Sequence, residues 1–117
     1  MSSEERRGDT RVYRPSAPVP RLRVLTGPAA DAGREFALDR PSVTIGRQSD
    51  QVIVLRDPSV SRAHARIEID RHGATIVDLG STNGTAVNGL RVQDRAALRG
   101  GDHIKIGGVV LEYLAAS

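Results

Sequence analysis

Four groups of polar residues combine types that suit the recognition of an anion. They pair guanidinium groups with hydroxyls, an imidazole and carboxamides, and they occur in this order: Gly46-Arg47, Ser61-Arg62-Ala63-His64, Ser81-Thr82-Asn83-Gly84 and Val87-Asn88-Gly89. Arginine offers a planar fork of donors that matches a phosphate, and serine adds a hydroxyl donor. An asparagine amide both donates and accepts, so it can hold the main chain of an extended peptide. The combination predicts a site for a phosphorylated peptide.

The strength of hydrogen bonds to a charged group favours a phosphate ligand. A phosphate monoester carries about −1.5 to −2 charges and three strong acceptor oxygens. Hydrogen bonds to a charged group contribute roughly 1.5–3 kcal/mol each, so three or four of them can outweigh the desolvation of the site. We therefore expect selectivity for the phosphorylated form of the ligand.

The dipeptide Asn-Gly occurs twice in the stretch GSTNGTAVNGLRV, residues 80–92. The second copy, Asn88-Gly89, lies between short strand-like runs and predicts a type I′ hairpin turn, since both residues tolerate positive φ. The first copy, Asn83-Gly84, follows small polar residues that make a poor strand. It therefore predicts a loop with a role other than closing a simple hairpin.

The elements that must position these residues are short strands. From Arg21 onward, aliphatic residues alternate with mostly polar ones, and turn residues interrupt the runs every eight to twelve positions. No window of twelve or more residues keeps the period of an α-helix. The pattern predicts an all-β sandwich of roughly ten mostly antiparallel strands.

The 117 residues suit one domain, which we place at residues 21–117. Residues 1–20 carry arginine, serine and proline with almost no apolar content, and predict a flexible N-terminal tail. We expect the protein to be a monomer.

Composition excludes several other classes of site and partner. The chain has no cysteine, and His64, His72 and His103 are scattered, so we expect no disulfide, no metal and no cofactor. The net charge is +3, and the part after the tail is close to neutral without a basic stripe, which argues against nucleic acid. No apolar stretch approaches the ~20 residues of a membrane span, and the amino terminus is not a signal peptide. We expect a cytoplasmic location.

In this order and at these spacings, the four motifs resemble those of the forkhead-associated (FHA) domain family, over residues 22–115. The resemblance implies an eleven-stranded β-sandwich whose loops at one end bind phosphothreonine peptides. It implies that Arg47 and Ser61 bind the phosphate, Arg62 adds charge or contacts the peptide, Thr82 lines the pocket and Asn83 holds peptide backbone. The expected phosphopeptide-binding residues are Arg47, Ser61, Arg62, Ser81, Thr82 and Asn83, and the expected architectural residues are Gly46, His64, Gly84, Asn88 and Gly89.

The same resemblance suggests partners and regulation. Family members prefer phosphothreonine to phosphoserine because a pocket rewards the extra methyl group, an effect of ~1 kcal/mol or somewhat more. The expected partner is a phosphothreonine-containing protein, such as a Ser/Thr protein kinase or its substrate. Some bacterial relatives are phosphorylated on an N-terminal tail that then occupies their own pocket, and Thr10 is the candidate phosphorylation site here.

Two alternative hypotheses assign the chain a different function. An enzyme would use Ser61 as nucleophile and His64 as base, but the chain lacks a G-x-S-x-G elbow and an acid assigned to orient the histidine, so we expect no enzyme. A phosphate-independent interaction domain would instead use a sheet face or a sandwich edge.

One step in placing the site depends on the resemblance alone. In a simple up-and-down meander, residues 56–62 and 80–84 share one end of the sandwich, whereas residues 46–51 fall at the other. Arg47 can meet Ser61 only if the strand at Val52 to Leu55, about 13 Å long at ~3.3 Å per residue, does not traverse the sandwich.

Overall fold

Short strands form wherever aliphatic and polar residues alternate. The computed structural model describes residues 19–116, so Thr10 and nearly all of the predicted tail lie outside the described residues. The described strands are β1 (Arg21–Thr26), β2 (Glu35–Ala37), β3 (Ser42–Gly46), β4 (Ile53–Val54), β5 (Ala65–Asp70), β6 (Gly73–Asp78), β7 (Thr85–Val87), β8 (Leu90–Arg91), β9 (Arg95–Leu98), β10 (His103–Ile106) and β11 (Val109–Leu114). The described helical structure is a 3-10 turn at Ala29–Asp31.

The strands pair into two sheets. One sheet has the order β9-β6-β5-β3-β4, and the other has the order β2-β1-β11-β10-β7-β8. Among the strands of residues 19–116, every pair is antiparallel except β3 and β4, which run parallel. The predicted all-β sandwich is confirmed, and residues 19–116 contain eleven strands, the number that the family resemblance implies.

Aliphatic side chains fill the space between the sheets. In β5, Ala65 and Ile67 are fully buried, whereas Arg66 and Glu68 point outward and bond to each other at 2.9 Å. The same alternation buries residues from both sheets, and the largest fully buried aliphatics are Leu22, Leu38, Ile45, Ile53, Leu55, Ile67, Ile76, Ile104, Ile106 and Leu111. Each contributes roughly 1.5–3 kcal/mol on removal from water, so this core holds the loops on a rigid frame.

The parallel pair decides which loops share an end of the sandwich. β3 ends at Gly46, and β4 begins beside that end because Ile45 pairs with Ile53 and Gly46 with Val54. The chain then continues past this end, where the Leu55 N–H donates to the Gly46 carbonyl at 2.9 Å. The short β4 strand therefore does not traverse the sandwich, and the simple meander is wrong at this point.

The antiparallel neighbours bring further loops to the same end. β5 starts at Ala65, opposite Ile45, and β6 finishes at Asp78, opposite Ala65. Residues 47–52 (the first loop), 55–64 (the second loop) and 79–84 (the third loop) consequently lie together, and we call this the loop end of the sandwich. The turn Gly107-Gly108 joins them, since the Gly107 N–H donates to the Gly84 carbonyl at 3.3 Å.

The second Asn-Gly closes the β7–β8 hairpin as predicted. Asn88 has φ +51° and Gly89 φ +83°, between the paired residues Val87 and Leu90. The Asn88 amide also donates to Asp102 at 2.9 Å and accepts from the His103 N–H at 2.9 Å. These bonds fix the hairpin to its neighbouring turn and strand, away from the loop end.

The described part of the chain contains no helix long and apolar enough to cross a membrane.

Candidate functional site

Arg47 joins the first loop to the second. Its backbone N–H donates to the Ser61 carbonyl at 3.0 Å, and its side-chain Nε donates to the Val60 carbonyl at 2.9 Å. Arg47 is exposed, and its two Nη nitrogens have no hydrogen-bond partner among residues 19–116. The guanidinium is therefore anchored by one edge and presents its other donors to solvent beside Ser61.

Gly46 allows these loops to approach each other. A Cβ at this position would lie 2.1 Å from the Arg62 carbonyl oxygen, closer than any side chain can approach. The same carbonyl accepts from the Gln48 N–H at 3.2 Å, so the contact belongs to the loop-to-loop hydrogen bonding. The Arg62 side chain is exposed and forms no salt bridge with a described residue.

His64 connects the second loop to the third from a fully buried position. Its Nδ1 accepts from the Ser61 N–H at 3.0 Å, so the ring proton is on Nε2, which donates to the Gly84 carbonyl at 2.9 Å. Burial lowers the pKa of His64, although the Gly84 bond and the charge of Asp78 act in the opposite direction. A neutral imidazole with both nitrogens engaged is a structural bridge.

Ser61 and Asn83 bring the third loop against the second. The Ser61 hydroxyl oxygen accepts from the Thr82 N–H at 3.0 Å, which leaves the hydroxyl proton available to a ligand. Asn83 donates from Nδ2 to the Ser59 carbonyl at 2.8 Å. Thr82 and Asn83 are both exposed at this point. Arg47, Ser61, Thr82 and Asn83 therefore share one rim, which we call the loop-end rim.

The Ser81 side chain forms its hydrogen bonds within its own loop, unlike the other predicted binding residues. Its hydroxyl donates to Asp78 at 2.6 Å and accepts from the Gly84 N–H at 3.0 Å, so it is used inside the loop. Asp78 also accepts from the Thr85 hydroxyl at 2.7 Å and from the backbone of Gly80 at 3.0 Å. Partial burial opposes the ionisation of Asp78, but the hydrogen bonds from Ser81, Thr85 and the backbone outweigh it and lower its pKa. Sequence reasoning missed Asp78, although an Asp two positions before a Gly is a turn pattern that could have indicated it.

Ser59 was also missed. Its hydroxyl donates to Asp57 at 2.5 Å and accepts from the Gly108 N–H at 2.7 Å, and a Cβ on Gly107 would lie 2.4 Å from the Ser59 carbonyl oxygen. The hydrogen bond from the Ser59 side chain is the main reason that the pKa of Asp57 is lowered. The Asp-Pro-Ser turn was the available signal, and it positions the carbonyl that Asn83 contacts.

A basic depression opens next to the loop-end rim. It has a volume of about 500 Å³ and is lined by Arg47, Arg56 and Pro58. None of Arg47, Arg56 and Arg62 forms a salt bridge within the described part of the chain. Arg56 was not among the predicted site residues, and its position directly after the apolar run Val52 to Leu55 was the signal for it. The arrangement suits an anionic ligand.

The FHA domain family model matches residues 43–107, and the chain belongs to this family. Glycogen accumulation regulator GarA of Mycolicibacterium smegmatis is 43% identical over 93 residues, which are 80% of this chain and 57% of that protein. An oxoglutarate dehydrogenase inhibitor of Corynebacterium efficiens is 43% identical over 94 residues, or 80% of this chain and 64% of that protein. The chain thus spans about three fifths of the length of these curated relatives.

Solved structures show the same likeness. A chain from a structural and functional analysis of phosphothreonine-dependent FHA domain interactions superposes with a TM-score of 0.73 and 34% identity, covering 82% of this chain and 95% of the other. Mycobacterium tuberculosis EmbR, in complex with a low-affinity phosphopeptide, gives a TM-score of 0.77 and 33% identity, covering 86% of this chain and 25% of that one.

Proposed function

We propose that this FHA domain is a binding module for phosphothreonine-containing peptides and that the loop-end rim is its site. The observation that carries the proposal is the convergence of Arg47, Ser61 and Asn83, which come from three separate loops. Arg47 bonds to the Val60 and Ser61 carbonyls, Ser61 bonds to the Thr82 N–H, and Asn83 bonds to the Ser59 carbonyl.

Each residue has a chemical task in this proposal. Arg47 gives its Nη donors and Ser61 its hydroxyl proton to the phosphate oxygens, while Arg62 and Arg56 add positive charge nearby. Asn83 holds the peptide main chain through its amide, and Thr82 lines the pocket for the methyl group of phosphothreonine. Ser81, Gly46, Gly84 and His64 shape the loops, and Asn88-Gly89 supports them through the hairpin.

The relatives support a regulatory role. One is named as a regulator of glycogen accumulation and another as an inhibitor of oxoglutarate dehydrogenase, and the solved neighbours include a phosphopeptide complex. The partner we propose is a phosphothreonine-containing protein, a Ser/Thr protein kinase or its substrate. Occupation of the site by this chain's own Thr10 after phosphorylation, the monomeric state and a cytoplasmic location stay predictions.

The hydrogen-bond geometry of His64 favours a binding function over a catalytic one. A general base must reach the proton it removes, yet the two ring nitrogens of His64 are bonded to the Ser61 backbone N–H and the Gly84 carbonyl. We therefore propose that the protein is not an enzyme.

A phosphate-independent interaction through a sandwich edge is the second candidate. Leu90 on the edge strand β8 is 76% exposed, a large apolar side chain without cover from the described residues. Binding of a partner at this edge would not depend on Arg47. The effect of removing Arg47 therefore distinguishes the two functions.

The test is calorimetric titration of the whole chain with two pools of nine-residue peptides, one with a fixed central phosphothreonine and one with threonine. We expect the phosphorylated pool to bind about a hundredfold more tightly or better, since two or more hydrogen bonds to a charged group are gained. Arg47→Ala and Ser61→Ala should each weaken binding about tenfold or more, whereas Arg71→Ala, on an exposed turn at the other end of the sandwich, should leave it unchanged. Equal affinity for both pools would contradict the proposal, and partner binding that survives Arg47→Ala would favour the sandwich edge.

A further inference from the structure

A groove leads away from the loop-end rim over the outer face of the second sheet. It has a volume of about 360 Å³, and its lining includes Asn83, Gly84, Ala86, Arg91 and Lys105. We call it the Arg91–Lys105 groove. Arg47 and Ser61, which we propose bind the phosphate, do not line this groove.

The strand register builds the two walls of this groove. Ala86 on β7 pairs with Arg91 on β8 and with Lys105 on β10, so the three residues form one row across the sheet. Strands are about 4.8 Å apart, which puts the Cα atoms of Arg91 and Lys105 about 10 Å apart. The small side chain of Ala86 leaves the floor low between two long, exposed cationic side chains.

The groove is continuous with the rim. β7 begins directly after Asn83-Gly84, and the Arg91 guanidinium lies over Gly84, since a Cβ built there would be 2.7 Å from both Cζ and Nε of Arg91. A peptide chain that passes Asn83 therefore meets the charge of Arg91 within the next residues.

The positive charge of the groove is not neutralised by the described residues. Neither Arg91 nor Lys105 forms a salt bridge within residues 19–116, whereas Arg21, Arg34 and Arg66 each pair with a carboxylate. The carboxylate on the neighbouring strand, Glu112, lies 3.9 Å from Arg23 instead. An anionic ligand would neutralise the charges of Arg91 and Lys105.

We propose that the Arg91–Lys105 groove binds an acidic segment on one side of the phosphothreonine, in the same peptide. The inference rests on the proposed phosphopeptide function and deepens it by naming the peptide class. Successive residues of an extended peptide point to opposite sides, so two consecutive acidic residues can reach Arg91 and Lys105 in turn. Arginine suits such a carboxylate through its fork of donors, and lysine acts as a compact point charge.

The experiment uses synthetic phosphothreonine peptides with alanine at all other positions, in which a Glu-Glu pair is moved stepwise through both flanks. Affinities are measured by calorimetry on the whole chain and compared with the all-alanine phosphothreonine peptide. One register on one flank should raise affinity about three- to tenfold, as expected for two partly exposed ion pairs. The Arg91→Ala/Lys105→Ala double variant should lose this gain and keep its affinity for the all-alanine peptide within about twofold.

The matched control is Arg71→Ala/Arg99→Ala, which removes the same charge from exposed positions outside the groove and should keep the gain. Three results would contradict the binding of an acidic segment in the groove while leaving phosphopeptide binding intact. They are no gain in affinity at any register, an equal gain from both flanks, or a gain that persists in the Arg91→Ala/Lys105→Ala protein. If the all-alanine phosphothreonine peptide binds no better than its threonine twin, the proposed function itself fails and the groove fails with it.

Discussion

At the scale of single residues, the imidazole of His64 accepts from one loop and donates to another while it is fully buried. Its removal would leave the Ser61 N–H and the Gly84 carbonyl without their partners and would open a cavity. A buried polar group without a partner costs roughly 1–3 kcal/mol, so the fold depends on this residue in two places.

We expect His64→Ala to lower the free energy of unfolding by about 2–4 kcal/mol, from the lost hydrogen bonds and the cavity together. The measurement is equilibrium unfolding in urea followed by circular dichroism. His72→Ala is the matched control, because this exposed turn residue should change stability by less than about 0.5 kcal/mol. Equal losses in the two variants would contradict the bridging role of His64.

Stability should also depend on pH through His64. Because burial lowers its pKa in the folded protein, the unfolded chain binds the proton more readily. The contribution of neutral His64 is complete above the ordinary histidine pKa of about 6.5 and is lost progressively as the pH falls below it. Asp57 and Asp78, whose pKa values are also lowered, add a loss only further down, below the ordinary aspartate value of about 3.9.

The measurement is the urea concentration at the midpoint of unfolding, determined at several pH values from 7.5 down to 5. It should fall with pH in the unmodified protein and fall less in His64→Ala. A midpoint that declines equally in both proteins would assign the effect to other groups.

At the scale of elements, the parallel pairing of β3 and β4 brings Arg47 to the side of Ser61. Alternation of aliphatic and polar residues was enough to predict β3, yet it carries no information about strand direction. β4 is only two residues long and is defined by its backbone pairing with Ile45 and Gly46 rather than by a pattern of its own. A meander was the simplest interpretation, and only the family resemblance argued against it.

Gly46→Ala tests this element directly. The added Cβ would lie 2.1 Å from the Arg62 carbonyl oxygen, so the two loops must separate. We expect a loss of about 2 kcal/mol or more in the free energy of unfolding and weaker binding of phosphopeptides, because Arg47 follows the displaced residue. Thermal and urea unfolding measure the first effect and calorimetry the second.

Gly27→Ala is the comparison, since the added Cβ there would meet a Val109 methyl at 3.3 Å, and a side chain can yield where a carbonyl cannot. Its loss should stay below about 1 kcal/mol. A Gly46→Ala protein as stable as Gly27→Ala would contradict the close approach of the loops.

The third loop shows where prediction from sequence ends. The motif Ser81-Thr82-Asn83-Gly84 was recognised as a polar loop shaped for a ligand. Which of its side chains turn inward depends on Asp78, which binds the Ser81 and Thr85 hydroxyls from the end of β6. These bonds link residues only three and seven positions apart, and the turn pattern from Asp78 to Gly80 indicates a bend there. The pattern does not show which hydroxyls Asp78 binds, so Ser81 and Thr82 could not be told apart from the sequence.

At the scale of the whole molecule, the two sheets form a frame on which residues far apart in sequence become neighbours. Asn83 and Ser59 are 24 positions apart and bond at 2.8 Å, and Gly108 and Ser59 are 49 apart and bond at 2.7 Å. The third loop leads from β6 of the first sheet to β7 of the second, and the Gly107-Gly108 turn joins β10 and β11 of the second sheet. The first sheet supplies the loops of Arg47 and Ser61. The loop-end rim therefore exists only when both sheets pack together.

Mapping of amide chemical shifts tests most directly whether a phosphothreonine peptide contacts these loops jointly. The isotope-labelled whole chain would be titrated with the all-alanine phosphothreonine peptide and with its threonine twin. We expect the largest shifts to occur together at the amides of Arg47, Ser61, Thr82 and Asn83, and only with the phosphorylated peptide. Shifts centred on Leu90 and the β8–β9 edge, or equal shifts with both peptides, would contradict it.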